Sequence, residues 1–110
     1  MGAIAPPALG GPADVVAAEA ECNAQRVCTF RVGVRHADAG WDHYADRWQV
    51  LAPDGTVLAT RILHHPHVEE QPFTRSLRDV EIPTGLTEVR VRAHDSVHGF
   101  GGAEQAVPIP

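Results

Sequence analysis

The sequence predicts an all-β fold, an antiparallel β-sandwich of about seven strands, because two of its patterns are typical of that class. After Pro12 the chain divides into short segments rich in Val, Thr, Arg and Ile, and Gly, Pro and Asp separate these segments. Several segments alternate apolar and polar residues, as strands with one buried face do. A chain of 110 residues suffices for one such domain. We therefore expect a single domain over residues 14–110, preceded by a flexible leader over residues 1–13.

The first four strands follow from alternation and from turn residues. In "CTFRVGVRH", Phe30, Val32 and Val34 share one face, which predicts a half-buried strand. The preceding segment "DVVAAEAEC" is compatible with a helical turn by its alanines and glutamates, but a cysteine pairing with the next segment favours a strand. The turn "PDG" separates the third strand from the fourth. These four strands are predicted over residues 14–22, 28–36, 43–52 and 56–64.

Three more strands complete the predicted sandwich. The segment "FTRSLRDVEIP" is expected to bulge or break around Arg78 and to end at the turn "PTG". In "TEVRVRAHD", Val89, Val91 and Ala93 alternate inward. The last strand, "EQAVPIP", follows a run of glycines. These strands are predicted over residues 73–83, 87–95 and 104–110.

The two cysteines of the chain are Cys22 and Cys28, and their spacing suits the two arms of the first hairpin. We expect a disulfide, which the loop-entropy model values at roughly 2 to 2.5 kcal/mol and which requires an oxidising compartment. The alternative is a pair of buried thiols in a cytosolic protein. The disulfide predicts a periplasmic or secreted protein whose native signal peptide has been removed, since residues 1–13 lack a charged start and a long apolar run.

The charge and hydropathy of the chain exclude two classes of partner. The net charge is -5 and no basic stripe is visible, which argues against a nucleic-acid partner. No stretch approaches the roughly 20 apolar residues of a membrane span. The sequence does not indicate an oligomeric state.

The seven histidines fall into alternate connections of the predicted sandwich. Because consecutive strands run antiparallel, the second, fourth and sixth connections lie at one pole, and the cysteines, "PDG" and "PTG" lie at the other. The histidines therefore gather near one pole. They are His36 and His43 in the second connection, His64, His65 and His67 in the fourth, and His94 and His98 in the sixth.

This gathering predicts a site for Zn²⁺ or Cu²⁺, since imidazole is the commonest metal-ligating side chain. The expected ligands are His65 and His67, which project to the same side of an extended "HPH", met across the pole by histidines of the other two loops. His64 cannot easily share the metal of its neighbour. The full predicted ligand set is His43, His65, His67, His94 and His98, with Asp42, Asp95, Glu69 and His36 supporting or orienting them.

Roles that involve no metal remain open for the same residues. By strand parity His36 continues the inward face of the second strand, which favours a semi-buried, hydrogen-bonded side chain over a ligand. The cluster as a whole can instead be a polar network that rigidifies the loops, or a solvent-exposed coincidence. A metal-free protein- or glycan-interaction module is the alternative function, because Trp41, Tyr44, Phe73 and Phe100 flank the same pole. Phe73 is expected to cap the core.

Enzymatic activity is not expected. Ser76 and Ser96 lie in no nucleophile-elbow motif, and the chain has no phosphate-cradling glycine loop. The acid and base of "WDH" can in principle move protons, but a small sandwich seldom encloses a substrate.

The run "TEVRVRAHDSVHGFGG" resembles the penultimate strand and following loop of immunoglobulin-like and fibronectin type III-like sandwiches, in which a tryptophan at the place of Trp48 is often buried. The resemblance implies an immunoglobulin-like strand arrangement over most of the chain. The phrases "GWDHYADRW", "HPHVEEQPFTRSL" and "AHDSVHGFGG" also resemble those of small, exported, uncharacterised bacterial proteins. That resemblance implies no activity.

Overall fold

The computed structural model describes residues 11–110, and these residues form two antiparallel sheets without a helix. The predicted all-β sandwich is therefore confirmed. The predicted leader lies mostly outside the described residues, and its last residue, Ala13, is buried in the core. The strands are β1 (Asp14–Cys22), β2 (Val27–Arg35), β3 (Ala45–Leu51), β4 (Val57–Ile62), β5 (Phe73–Glu81), β6 (Glu88–Asp95), β7 (Gly99–Phe100) and β8 (Gln105–Pro108).

The eight strands form two sheets that differ in strand order. One sheet has the order β1-β2-β5, and the other has the order β4-β3-β6, with both β7 and β8 paired to β6. The seven predicted strands all form, and β7 is an eighth. It was not predicted because it is only two residues long and lies among glycines, where alternation gives no signal.

The core is built from the alternating faces that the sequence predicts. Phe30, Val32 and Val34 of β2 are fully buried, and Val91 of β6 packs in the same cluster. Trp48 of β3 is fully buried at the centre. Burial of such apolar side chains is the main favourable contribution to folding. Phe73 is also buried, which fits the expected role of capping the core.

Strand β5 carries the irregularity predicted around Arg78. Cys28 of β2 pairs with Val80, whereas Phe30 pairs with Leu77, so β5 contains one more residue than β2 over this stretch. Asp79 absorbs the extra residue with a φ of 62°, a left-handed conformation that Asp tolerates better than most residues.

Cys22 and Cys28 are disulfide-bonded at the far end of the first hairpin, as predicted. Nine residues of β2 then separate the start of that strand, beside Cys28, from the histidine pole. The disulfide and the histidines therefore lie at opposite ends of the sandwich.

Three connections meet at the histidine pole, namely residues 36–44, 63–72 and 96–98. The His36 N–H donates to Gln71 Oε1 at 2.9 Å, and the His67 N–H donates to Asp38 Oδ2 at 2.6 Å. The Tyr44 N–H donates to Ser96 Oγ at 3.1 Å. The convergence predicted from strand direction is thus present. Among the described residues, no helix has the length and apolar character needed to cross a bilayer.

Candidate metal centre

Asp95 is the centre of the pole because of its place at the end of β6. It continues the inward parity of Val91 and Ala93, and its side chain is fully buried. Its Oδ1 accepts the backbone N–H groups of Val97 (2.8 Å) and His98, which turns the chain sharply after β6. This turn fixes the carboxylate and leaves Oδ2 facing the interior of the pole.

Three imidazoles converge on that single oxygen. The distances from Asp95 Oδ2 are 3.0 Å to His36 Nε2, 3.2 Å to His43 Nε2 and 3.1 Å to His98 Nδ1. The two Nε2 atoms of His36 and His43 lie 3.3 Å apart. One ligand atom each from His36, His43 and Asp95 forms a group within 4.8 Å of one another, and His98 approaches the shared carboxylate from beside this group.

Asp38 holds the innermost imidazole from behind. His36 Nδ1 donates to Asp38 Oδ1 at 2.5 Å, and both side chains are fully buried. Asp38 also accepts the backbone N–H of Ala45 at 3.0 Å and that of His67 at 2.6 Å. A carboxylate behind a histidine fixes the ring and leaves its other nitrogen, here Nε2, for a ligand in front.

The protonation state of His36 determines whether a proton or a cation lies between its ring and Asp95. A neutral imidazole has one N–H, so His36 cannot donate to Asp38 and Asp95 together. Burial by itself lowers the pKa of His36, but hydrogen bonds and the negative charges of Asp38 and Asp95 outweigh it and raise that pKa above 6.5. Either a proton or a cation must therefore neutralise the space between His36 and Asp95.

Both carboxylates are ionised in this setting. Burial opposes ionisation of Asp95, yet hydrogen bonds from the backbone and side chain of His98, the backbone of Val97 and the side chain of His43 hold its pKa well below the usual range. Burial likewise opposes ionisation of Asp38, and hydrogen bonds from His36 and from two backbone N–H groups lower its pKa. The pole thus encloses two buried negative charges, which a divalent cation balances.

The spacing of the nitrogens and the oxygen fits a metal ion. Ligand atoms bound to Zn²⁺ at about 2.0–2.1 Å in a tetrahedron lie about 3.3–3.4 Å from one another. The separations within the group of His36, His43 and Asp95 are 3.0, 3.2 and 3.3 Å. Small adjustments of the side chains would therefore admit an ion. The His98 side chain, 36% exposed, and that of His43, 12% exposed, form the solvent side of the group.

The other predicted ligands lie elsewhere. The rings of His65 and His67 are tilted against each other with centroids 4.8 Å apart, and the His67 ring stacks on Phe73 at 4.0 Å. The His67 ring contacts Asp38 and not the group of His36, His43 and Asp95, since its Nδ1 is 3.9 Å from Asp38 Oδ2. The structure therefore does not bring the "HPH" loop to the group of His36 and His43.

His94 also turns away from the group. Its Nδ1 contacts Asp46 Oδ1 at 2.6 Å, and its ring meets Phe100 edge-on at 4.7 Å. The reason is parity, because residue 94 of β6 points outward when Ala93 and Asp95 point inward. Asp42 and Glu69, expected to orient imidazoles, are exposed, and neither has a hydrogen bond to a histidine among the described residues.

Of the nine residues predicted for the site, the structure brings together His36, His43, Asp95 and His98. His36 and Asp95, which were predicted as supports, belong with His43 to the group that could hold a metal ion. Asp38 is the participant that the sequence reading missed. The sequence "HAD" over residues 36–38 could have indicated it, because a carboxylate two residues after an inward-facing histidine can reach the ring of that histidine.

Comparison with known proteins finds a relative in Halomicrobium mukohataei. The chain is 43% identical over 95 residues to a protein of Halomicrobium mukohataei named "Putative lipoprotein". The alignment covers 86% of this chain and 46% of that protein, so the chain spans about half the length of the curated relative it matches. No family model and no solved structure matches the chain.

Proposed function

We propose that this chain binds one divalent cation, Zn²⁺ or Cu²⁺, through His36, His43 and Asp95, with His98 completing the ligand set from the solvent side. The observation that carries the proposal is the approach of three imidazole nitrogens to one oxygen of a buried carboxylate. If all three nitrogens carried protons, three N–H groups would compete for the two lone pairs of that oxygen. If they carry none, their three lone pairs and the carboxylate oxygen together suit a metal ion.

Charge also favours a metal over protons. The buried carboxylates of Asp38 and Asp95 carry two negative charges, and no arginine or lysine among the described residues pairs with either one. A divalent ion bound to neutral imidazoles leaves the enclosed group uncharged. His36 then keeps its Nδ1–H for Asp38 and offers Nε2 to the metal.

The types of ligand atom limit which metal ions the site would favour. Imidazole and carboxylate suit Zn²⁺ and Cu²⁺, and the two cysteines are held in a disulfide at the opposite pole, so no thiolate is available to either ion. A cuprous site rich in methionine is excluded, because Met1 is the only methionine of the chain.

We place this binding outside the cytoplasm. The disulfide between Cys22 and Cys28 supports an oxidising compartment, and the name of the Halomicrobium relative supports an extracytoplasmic protein. The finer assignment, periplasmic or secreted, belongs to the same proposal.

Metal titration of single variants tests the site. The chelator-treated parent should bind one Zn²⁺ or Cu²⁺ per chain in isothermal titration calorimetry, and His36→Gln and His43→Gln should each weaken binding by tenfold or more, because each removes a ligand. His94→Gln is the matched control, since His94 lies at the same pole and pairs with Asp46. Equal affinities in all four proteins, or tight binding lost only in His94→Gln, would refute the assignment.

A second function uses the same pole without a metal. Each of the three loops presents one exposed large hydrophobic side chain, Trp41 (66% exposed), Val68 (57%) and Val97 (58%). Exposed apolar groups on adjacent loops of a rigid sandwich are typical of contact surfaces for proteins or glycans. This favours an interaction module, and it is compatible with a metal that fixes the loops.

Removing the exposed side chains separates the two functions. Trp41→Ser with Val97→Ser should leave metal affinity unchanged, since neither residue supplies a ligand. If the loops bind a partner, the same double variant should lose retention on an array of glycans and extracytoplasmic proteins that the parent binds. Retention equal to that of the parent would exclude these two side chains as a contact surface.

A further inference from the structure

A second polar pocket lies behind the metal centre, where the edge strands β4 and β5 of the two sheets meet. Arg61 Nε donates to the Ser76 carbonyl at 2.9 Å and so ties the strands together beside it. The pocket encloses about 130 Å³, well above the roughly 10–15 Å³ that one water requires. It is lined by Arg61, Leu63, His64, His65, His67 and Arg75.

The lining is cationic and includes no carboxylate. Arg61 is fixed by the carbonyls of Ser76 and Ile62, and Arg75 by the carbonyl of Thr74. Glu70 accepts from both terminal nitrogens of Arg75, at 3.1 and 3.3 Å, and its side chain is exposed, so an anion in the pocket has to compete with Glu70 for Arg75. Guanidinium groups held in this way present N–H donors at a fixed geometry, which is how arginine recognises oxyanions.

His67 supplies the observation that requires a ligand. It is 94% buried, and neither ring nitrogen has a hydrogen-bond partner among the described residues. Its Nδ1 lies 3.9 Å from Asp38 Oδ2, which is too far for a hydrogen bond. Both nitrogens are shielded from solvent in this conformation. Because buried polar atoms are nearly always paired, we expect the ring to turn toward the pocket that His67 lines when a group there accepts from it.

We propose that this pocket binds a small oxyanion, a phosphate or a carboxylate, through the guanidinium groups of Arg61 and Arg75 and the imidazole of His67. The proposal is independent of the metal centre. A metal ion is disfavoured here, because two arginines line the pocket and would repel it. The pocket therefore gives the "HHPH" segment a role that differs from metal ligation.

Phosphate and acetate titrations of the whole chain test the proposal. The parent should bind one inorganic phosphate or one acetate saturably in calorimetry, and Arg61→Gln should weaken this binding about tenfold or more, as expected for loss of a charge-assisted hydrogen bond. Arg90→Gln is the matched control, because Arg90 pairs with Glu104 far from the pocket. The stronger of the two anions identifies the chemistry of the natural ligand.

Nuclear magnetic resonance supplies a readout that does not depend on folding of a variant. Burial and the positive charges of Arg75 and His65 lower the pKa of His67, and the negative charges of Asp38 and Glu70 oppose this with smaller effect. A bound anion should raise that pKa and shift the ring resonances of His67 before those of His94. Glu70→Gln should strengthen anion binding by freeing Arg75. Absence of saturable binding, or equal weakening in Arg61→Gln and Arg90→Gln, would leave only adventitious ion binding and overturn the proposal.

Discussion

At the scale of single residues, His36 decides the chemistry of the pole. Its ring lies between two buried carboxylates, with Asp38 on Nδ1 and Asp95 near Nε2. Without a metal, a second proton on the ring satisfies both carboxylates. In the proposed metal-bound form, Nε2 would carry no proton and would bind the ion instead. Metal and proton therefore compete for one nitrogen.

Asp38 is a positioning residue, and its replacement tests that role. Asp38→Asn removes the negative charge behind His36 while keeping the shape of the side chain. We expect metal affinity to fall about 10–100-fold, because histidine-orienting carboxylates have effects of that size. The free energy of unfolding should also fall by about 1–3 kcal/mol, since Asp38 accepts buried N–H groups of Ala45 and His67. Calorimetry and urea denaturation measure the two quantities.

Asp46→Asn is the control for this substitution, because Asp46 holds His94 in the same way outside the proposed site. It should leave metal affinity within about twofold of the parent. A loss of affinity as large as that of Asp38→Asn would show that neither carboxylate acts through a specific ligand.

The pH dependence of stability should differ between the metal-free and the metal-bound protein. The pKa of His36 is raised above 6.5 in the folded protein, so its protonated form stabilises the metal-free protein fully below pH 6.5. This contribution is lost as pH rises through the folded pKa. The lowered pKa of Asp38 has the opposite effect, with stability present above about pH 3.8 and lost in more acidic solution. Urea denaturation of chelator-treated protein should therefore show stability falling above pH 6.5.

Saturation with Zn²⁺ should abolish that fall, because a ligating imidazole must be deprotonated and the metal binds more tightly as pH rises. The variant His36→Gln should lack the fall above pH 6.5 when metal-free. A metal-free parent whose stability rises steadily from pH 6.5 to pH 8.5 would contradict the proton-bridged arrangement of His36.

At the scale of elements, β2 connects the two ends of the molecule. It begins beside the disulfide and ends immediately before His36. Because its inward residues pack throughout the core, β2 fixes His36 from one side while β6 fixes Asp95 from the other. The proposed metal centre is thus supported by one strand from each sheet, because His36 directly follows β2 and Asp95 ends β6.

The distance between the disulfide and the metal centre yields a prediction about their independence. Replacing Cys22 and Cys28 together with serine should lower the free energy of unfolding by about 2 kcal/mol, because the closed loop no longer restricts the unfolded chain. Metal affinity at 25 °C should stay within about twofold, since the two sites share no contacts. A tenfold loss of affinity would show that the hairpin and the pole are coupled. Urea denaturation and metal titration of the same preparation provide both values.

Strand parity accounts for how much of these elements the sequence predicts. The parity of β2 and β6 points His36 and Asp95 inward and His94 outward, so alternation alone separates His36 and Asp95 from His94. The paths of His65 and His67 could not be predicted in this way. They lie in a connection without alternation, and their position depends on the packing of His67 on Phe73.

At the scale of the whole molecule, the strand directions were sufficient to gather the histidines at one pole, and the contacts between the three loops confirm this. The strand directions cannot specify on which side of Asp38 the imidazole rings of each loop lie. The pole holds two groups separated by this carboxylate, the proposed metal centre in front and the cationic pocket behind.

Metal binding should stabilise the molecule as a unit, because His36 directly follows β2 of one sheet and Asp95 ends β6 of the other. Zn²⁺ at 100 times its Kd should add about 2.7 kcal/mol, which for a domain of this size corresponds to a rise in Tm of roughly 10–20 °C. The double variant His36→Gln, His43→Gln should show no such rise in differential scanning calorimetry. The double variant His65→Gln, His67→Gln should keep it, unless those rings are the true ligands.

The most direct test is a crystal structure of the chain grown with Zn²⁺, with diffraction recorded on both sides of the zinc absorption edge. An anomalous difference peak should lie about 2.0–2.2 Å from His36 Nε2, His43 Nε2 and one carboxylate oxygen of Asp95, with His98 or a water at the fourth position. An ion bound between His65 and His67, or no ordered ion at the pole at full zinc occupancy in solution, would contradict the proposed metal centre.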